Sequence, residues 1–97
     1  MKLRFTPRAA QDLADTAAYL NEHNPAAAKR VRSEILDALQ GLVLFPEVGR
    51  RQRIEDVRKL VTRRYSYLIY YRLDRAADEI AVLAIQHHAR SRPFDED

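Results

Sequence analysis

Apolar residues recur at helical spacing in two neighbouring stretches of the first half of the chain. Each stretch begins with a polar residue followed by proline, at Thr6-Pro7 and at Asn24-Pro25. This pair is typical of an N-cap and the first helical position, where the N–H that proline lacks would have no partner within the helix. The apolar positions are Ala10, Leu13, Ala17 and Leu20 in the first stretch, and Ala28, Val31, Ile35, Ala38 or Leu39, and Leu42 in the second. The pattern predicts two helices, with a break at residues 21–23 short enough for an antiparallel hairpin.

The second half of the chain changes to the pattern of β-strands. Three segments are rich in β-branched and aromatic residues: residues 57–62, 65–73 and 79–87. Residues 2–5 are expected to form a short strand before the first helix, and Pro46 and Gly49 separate the helices from the later strands. The predicted fold is a single α+β domain over residues 1–97. An N-terminal strand and an α-helical hairpin pack on one face of a mainly antiparallel β-sheet, in the order β-α-α-β-β-β.

The strand patterns place apolar residues on both faces of the predicted sheet. In residues 65–73, one face holds Tyr67, Ile69, Tyr71 and Leu73, and the other holds Ser66, Leu68, Tyr70 and Arg72. In residues 79–87, Ile80, Val82 and Ala84 share one face, and Ala81, Leu83 and Ile85 share the other. Two helices cover only one face of such a sheet. We therefore expect either a strand buried centrally within the domain or an open apolar surface that binds a partner.

Basic residues are concentrated in the second half of the chain. Residues 1–48 carry six Lys/Arg and six Asp/Glu, whereas residues 49–97 carry eleven Lys/Arg and eight Asp/Glu, which accounts for the whole net charge of +3. Within residues 50–72, seven arginines and one lysine stand against two acidic residues. Arginine suits bidentate contacts with phosphate and carboxylate groups. This region is therefore either a solvated basic sheet edge or a surface for an acidic partner or a nucleic acid.

The composition excludes several kinds of site. The chain has no cysteine, which excludes disulfides and thiolate zinc sites. Gly41 and Gly49 are its only glycines, so it has no glycine-rich phosphate-binding loop. No stretch approaches the roughly 20 apolar residues of a membrane span, and the first residues lack the apolar run of a signal peptide. We therefore expect a cytoplasmic protein that binds neither a metal nor another cofactor.

Six segments of the chain carry a family pattern in their order and spacing. They are residues 6–13 (TPRAAQDL) in the first helix, Tyr19-Leu20 with residues 24–28 (NPAAA) at the turn between the helices, residues 45–50 (FPEVGR) after the second helix, residues 57–60 (VRKL) and 67–72 (YLIYYR) in paired strands, and residues 85–90 (IQHHAR) in the closing strand. Together they resemble the ParE/RelE superfamily of toxins from type II toxin–antitoxin systems over nearly the whole chain. The resemblance implies a toxin that is kept silent by a ParD-like antitoxin.

The superfamily contains two activities, and the resemblance assigns residues to each. RelE-like members are ribosome-dependent endonucleases that cut messenger RNA, whereas ParE-like members bind and poison DNA gyrase. By position, Arg58 and Arg90 match arginines that RelE-like enzymes place at the scissile phosphate. The following residues 91–97 (SRPFDED) contain no tyrosine or histidine for proton transfer, which favours the ParE-like activity, an inhibitor that acts by binding. The predicted target-binding residues are Arg58, His87, Arg90 and Arg92.

His87 and His88 are the remaining candidates for chemistry. As neighbours on a strand they would point to opposite faces, so they cannot both line one site. A histidine beside Arg90 would suit a general acid or base, and the alternative is a cap at the strand end or an interface residue. Nothing else in the sequence completes a metal-binding set of usual spacing. No residue is predicted to be catalytic.

A protein partner is predicted for the apolar surface that the helices leave uncovered. The resemblance implies an antitoxin tail that adds a helix against the helical hairpin, with an extra strand as a further option. Its expected contacts are Leu13, Ala17, Leu20, Leu39, Leu68 and Tyr70. The leading function is a gyrase-poisoning toxin. The alternative is a RelE-like mRNA endonuclease, and a third is a non-toxic interaction module of the same fold.

Overall fold

The computed structural model describes residues 1–90 of the chain. Arg92 and the side chain of Arg90, both predicted to contact a target, lie outside the described residues. No helix in this part of the chain is both long and apolar enough to cross a membrane.

Two helices and five strands make up the described part of the chain, which ends in a short 3-10 turn. They are β1 (Lys2–Phe5), α1 (Pro7–His23), α2 (Pro25–Leu44), β2 (Arg50–Arg51), β3 (Val57–Val61), β4 (Tyr67–Asp74), β5 (Glu79–His87) and the turn His88–Arg90. The strands form one sheet in the order β1-β5-β4-β3-β2, parallel between β1 and β5 and antiparallel elsewhere. The predicted α+β fold is confirmed. The structure adds the edge strand β2, which at two residues is too short to produce a sequence pattern.

Side-chain caps fix where both helices begin. The Thr6 hydroxyl oxygen accepts the N–H of Ala9 at 3.1 Å, and the Asn24 amide oxygen accepts the N–H of Ala27 at 3.2 Å. Each bond satisfies one of the N–H groups that the first turn of a helix leaves without a backbone partner. The two helix starts are therefore the ones that the sequence predicts.

The break between the helices is shorter than the sequence predicts. Helix α1 continues through His23, so the expected interruption at residues 21–23 is wrong. Only Asn24 leaves the helical conformation, with φ −156° and ψ 77°, because Pro25 disfavours a helical residue before it. The hairpin turn is thus a single residue that also caps the second helix.

The main core lies between the helical hairpin and one face of the sheet. Its buried members are Ala9, Val31, Ile35, Leu39 and Leu42 from the helices, and Tyr67, Ile69, Tyr71, Leu73, Ile80, Val82 and Ile85 from the strands. The apolar face predicted for β4 is thus the one that meets the helices. Removal of this apolar surface from water is the principal stabilising contribution to the fold.

A β-bulge changes which residues of β5 face the helices. The strand pairs on either side of it are Tyr70 with Ala84 and Tyr71 with Val82. Leu83 is left as an extra residue on β5, which resets the alternation of its side chains. Ile85 therefore belongs to the main core, whereas Ala84 lies in a separate cluster on the opposite face. The faces predicted for this strand are wrong beyond Leu83, since strict alternation does not anticipate a bulge.

The sheet face that the helices leave uncovered carries a smaller buried cluster. Leu68 and Tyr70 are each 5% exposed and pack with Ala84. The register places Lys59 beside Tyr70 and Gln86 beside Leu68, and the stems of such long polar side chains can cover apolar surface. Leu68 and Tyr70 therefore do not form the open apolar patch that the strand pattern predicts.

Side chains from the start of α1 close the edge of β5 that β1 does not reach. The register of β1 along β5 ends at Phe5 and Val82. Beyond that point, the Thr6 hydroxyl donates to the carbonyl of Leu83 at 3.2 Å. The Asp12 carboxylate accepts the N–H of Ile85 at 2.9 Å. A buried backbone N–H thus obtains an acceptor from a helix instead of a neighbouring strand.

Loss of the Asp12 carboxylate is expected to destabilise the fold. Asp12→Ala leaves the N–H of Ile85 without its acceptor, and an unsatisfied buried donor costs about 1–3 kcal/mol. Asp12→Asn retains an acceptor oxygen and should recover much of this loss. Asp15→Ala is the matched control on the same helix, because Asp15 bonds only to exposed Gln11 in the described structure. The midpoints of urea unfolding compare the three variants, and an equal loss in Asp12→Ala and Asp15→Ala would contradict the role of Asp12.

Candidate functional site

The last residue of α2 and the short loop that connects this helix to β2, residues 45–49, present large apolar side chains to solvent. Leu44, Phe45 and Val48 are 73%, 67% and 60% exposed, more than any other large apolar side chain of the described chain. The loop turns through a hydrogen bond of 3.1 Å from the N–H of Val48 to the carbonyl of Phe45. Exposed apolar residues of this size need an explanation, since isolated ones are ordinary but adjacent ones mark interaction sites.

The hydroxyl of Tyr71 fixes this loop from inside the core. The Tyr71 side chain is fully buried. Its hydroxyl donates to the carbonyl of Pro46 and accepts the N–H of Gly49, both at 2.8 Å. A Cβ atom at Gly49 would lie 2.5 Å from the hydroxyl oxygen, so a side chain there would displace Tyr71 or the loop. Glycine is required at this position by the close approach of the tyrosine.

Arg58 holds the same loop from the side of the sheet. One terminal nitrogen of its guanidinium, Nη1, donates to the carbonyls of Glu47 and Gly49, both at 2.9 Å. The carboxylate of Glu47 in turn pairs with Arg75 at 2.7 Å. Sequence reasoning predicts Arg58 as a residue that contacts the target. The structure gives it a further role as a support of the loop, so an Arg58→Ala variant would test both roles together.

The pKa of Tyr71 is raised above its usual value of 10.0. Burial is the main cause, because it disfavours the charged phenolate. The hydrogen bond from Gly49 and the positive charge of Arg58 oppose the rise, and the negative charge of Glu47 adds to it. The neutral hydroxyl, which both donates and accepts in the loop, is therefore the form that the folded protein favours.

The sheet edge next to the loop carries like charges on paired strands. Arg50 of β2 lies opposite Lys59 of β3, and Arg51 lies opposite Arg58. Cross-strand neighbours of the same charge repel each other. Within residues 1–90, no salt bridge is formed by Arg50, Arg51 or Lys59. Arg50, Arg51 and Lys59 thus form a cationic edge whose charges are not paired in salt bridges within the described residues.

His87 does not join Arg58 in one site. Its Nδ1 accepts the N–H of Ala89 at 3.1 Å, and its ring packs edge-on against Tyr67 with the centroids 5.1 Å apart. Tyr67 is its partner on β4, whereas the partner of Arg58 is Tyr71. Tyr67 and Tyr71 are four residues apart on β4, which corresponds to about 13 Å along the extended strand. The contacts of His87 are those of a cap at the strand end, the alternative that the sequence leaves open.

The six residues predicted to bind an antitoxin fall into three environments. Leu13, Ala17 and Leu20 line a groove of about 150 Å³ between the two helices. Leu39 is 2% exposed and belongs to the main core, so it supports the helices from within. Leu68 and Tyr70 lie on the opposite face of the sheet, in the smaller buried cluster described above. Only the first three therefore share an accessible surface.

Sequence reasoning missed the loop as a candidate site, although the sequence contains a signal for it. The segment 43–48 places four large apolar residues around Pro46, outside the apolar stripes of α2 that form the core. Apolar residues in a connection between elements are unusual, since loops run over the surface. The sequence does not indicate the hydrogen bonds that the Tyr71 hydroxyl makes to the loop, because Tyr71 occupies an ordinary core position in the strand pattern.

Stability is expected to fall at alkaline pH through the ionisation of Tyr71. Because folding raises the pKa of Tyr71, its neutral hydroxyl makes its full contribution to the free energy of unfolding below about pH 10. That contribution is lost as the pH rises through the pKa of Tyr71 in the folded state. Tyr71→Phe should remove this part of the pH dependence. At neutral pH it should cost about 1–3 kcal/mol, because the N–H of Gly49 loses its acceptor.

Urea unfolding followed from about pH 8 to about pH 11 measures both effects. The matched control is Tyr65→Phe, which removes a hydroxyl that accepts a hydrogen bond from Arg30 on the protein surface. An alkaline loss of stability that persists unchanged in Tyr71→Phe would show that another group causes it.

Comparison with known proteins agrees with this architecture. The sequence matches the family described as ParE toxin of type II toxin-antitoxin system, parDE, over residues 3–92. A curated relative from Sinorhizobium fredii (strain NBRC 101917 / NGR234), named "Putative toxin Y4kP", is 34% identical over 92 residues, which cover 95% of this chain and 93% of the relative.

Two solved structures share the fold. The chromosomal ParDE system from P. aeruginosa contains a chain that superposes with a TM-score of 0.73 and 27% identity, covering 90% of this chain and 95% of that one. The intact E. coli RelBE toxin–antitoxin complex contains one with a TM-score of 0.68 and 16% identity, covering 92% of this chain and 98% of that one; this second likeness concerns the fold alone. Since the family match spans residues 3–92, the chain belongs to the ParE toxin family of type II toxin–antitoxin systems.

Proposed function

We propose that this toxin arrests cells by binding and poisoning DNA gyrase and is neutralised by a ParD-like antitoxin. The observation that carries the proposal is the separation of Arg58 from His87. Cleavage of RNA by a metal-free enzyme requires cations and proton-transfer groups at one phosphate. In the described structure the predicted arginine supports a loop, and the histidine caps a strand about 13 Å away along the sheet. Inhibition by binding requires only a shaped surface.

The groove between α1 and α2 suits an antitoxin helix. Its apolar lining includes Leu13, Ala17 and Leu20, and two cations, Lys29 and Arg32, also line it. An amphipathic helix with an apolar stripe and acidic flanking residues would complement such a groove. Both solved relatives named above are toxin–antitoxin systems, which supports an antitoxin as the occupant. Leu68 and Tyr70 remain predicted contacts for a further segment of the antitoxin on the opposite face.

Filling the groove should weaken antitoxin binding without unfolding the toxin. Ala17→Arg places a long charged side chain where the apolar stripe of the partner helix would lie. Ala18→Arg is the matched control, because Ala18 is exposed on the same helix and does not line the groove. We expect the affinity for the neighbouring gene's antitoxin, measured by calorimetry, to fall about tenfold or more in Ala17→Arg only. Equal affinities for the two variants would place the antitoxin elsewhere.

Induction of the toxin should damage DNA and leave messenger RNA intact. Covalent gyrase–DNA complexes recovered from induced cells should increase, together with the DNA-damage response, and co-expression of the antitoxin should prevent both. The ends of cellular messages, mapped soon after induction, test the alternative. Ribosome-dependent cuts that disappear in His87→Ala would identify a RelE-like mRNA endonuclease instead. Normal growth after induction would favour the non-toxic interaction module.

A further inference from the structure

The most exposed apolar residues of the described chain form one compact feature, here called the apolar tip: Leu44, Phe45 and Val48. They lie within five consecutive residues and are each at least 60% exposed. Neither the groove between the helices nor the smaller cluster on the far sheet face includes any of them. A second apolar surface is therefore available in addition to the one proposed for the antitoxin.

The apolar tip is held in place more firmly than an ordinary connecting loop. Four hydrogen bonds from the sheet reach the backbone beside the tip residues, at Pro46, Glu47 and Gly49, two through the Tyr71 hydroxyl and two through Nη1 of Arg58. One of these side chains is fully buried, and Gly49 is kept free of a side chain to admit it. A loop whose backbone is already fixed loses less conformational entropy on binding. The backbone of the loop is therefore preorganised.

Cations flank the tip on the side of the sheet edge. Arg50 and Arg51 follow the tip after Gly49, and their side chains are exposed. Each lies opposite another cation on β3, namely Lys59 or Arg58. The nearest acid in the loop, Glu47, is already paired with Arg75. A partner that supplies negative charge would relieve this repulsion.

We propose that the apolar tip, together with Arg50 and Arg51, is the surface through which the toxin docks on its target, an acidic protein surface with an apolar pocket. The inference rests on the proposed function and specifies the docking site. Two other occupants fit less well. A nucleic acid would use the cations but leave Leu44, Phe45 and Val48 in water. A second copy of the chain would bring the same cations against Arg50 and Arg51.

The position of the tip separates it from the antitoxin groove. The groove ends at Ile35 along α2, nine residues before Leu44, and nine residues of helix span about 14 Å. Substitutions in one surface need not touch the other. This separation allows each surface to be tested with the other left intact.

The test compares two substitutions in the surface with matched controls elsewhere. Val48→Ser is matched by Val61→Ser, since Val61 is 48% exposed at the end of β3. Arg51→Glu is matched by Arg63→Glu in the exposed turn before β4. The readouts are growth arrest on induction, affinity for purified gyrase holoenzyme, affinity for the antitoxin and the thermal unfolding midpoint. We expect Val48→Ser and Arg51→Glu to weaken gyrase binding about tenfold or more and to relieve growth arrest. The controls should behave as the unaltered toxin, antitoxin affinity should be unchanged in all four variants, and no variant should lower the unfolding midpoint, since Arg51→Glu replaces a repulsive cross-strand pair with Arg58 by an attractive one.

The outcomes separate this inference from the proposed function. Growth arrest that persists in Val48→Ser and Arg51→Glu would overturn the docking surface, even if the unaltered toxin poisons gyrase. Loss of antitoxin affinity in these variants would assign the surface to the antitoxin. Sedimentation is measured as a further readout: an unaltered toxin that sediments as a dimer, with variants that sediment as monomers, would assign the surface to self-association. Either result overturns the proposal. If the unaltered toxin does not bind gyrase, the proposed target is wrong. In that case, relief of growth arrest in Val48→Ser and Arg51→Glu but not in the controls would still support this surface as the docking site for a different protein target.

Discussion

The hydroxyl of Tyr71 is the contact on which the arrangement of the candidate surface depends. Its ring lies in the middle of the core with no exposed area, and a buried hydroxyl without partners would be strongly destabilising. The chain satisfies it with the backbone of a surface loop, at Pro46 and Gly49. The conformation of that loop and the packing of the core therefore cannot change independently. A short domain with a limited core thereby fixes an exposed feature that its own apolar contacts would not hold.

The first helix has a structural role beyond covering the sheet. Because α1 begins directly after β1, that strand pairs with only the first half of β5. Thr6 and Asp12 then supply hydrogen-bonding groups to the backbone of Leu83 and Ile85. The bulge at Leu83 belongs to the same arrangement, since it turns Ile85 toward the helices. An edge that would otherwise be open to other strands is closed by the hairpin.

The sequence predicts those features that depend on neighbouring residues or on a repeated spacing. The caps at Thr6 and Asn24 are of this kind, and the structure confirms them. The stripe of the second helix is confirmed at Val31, Ile35, Leu39 and Leu42. In the first helix Leu13 and Leu20 pack against the core as predicted, but Ala9 is buried in place of the predicted Ala10, and Ala17 is exposed. The bulge at Leu83 is of another kind, because it is set by how two distant strands and a helix meet. The same holds for the role of Arg58, whose bonds to Glu47 and Gly49 exist only once the loop lies against β3. Tertiary contacts, rather than local propensity, decide both the bulge and the role of Arg58.

The cations of β2 also suit protection of a sheet edge, and the two explanations can be compared. Short edge strands with charged side chains discourage association of sheets, and the Gln52 side chain donates to the carbonyls of Arg50 and Arg51, which blocks part of the exposed backbone. Protection of this kind accounts for the charge. It does not account for Phe45 and Val48, because exposed apolar residues beside a protected edge would promote the association that the charges oppose. Selective docking on an acidic protein surface requires both features side by side. The apolar residues provide affinity, and the cations next to them exclude apolar partners that lack negative charge.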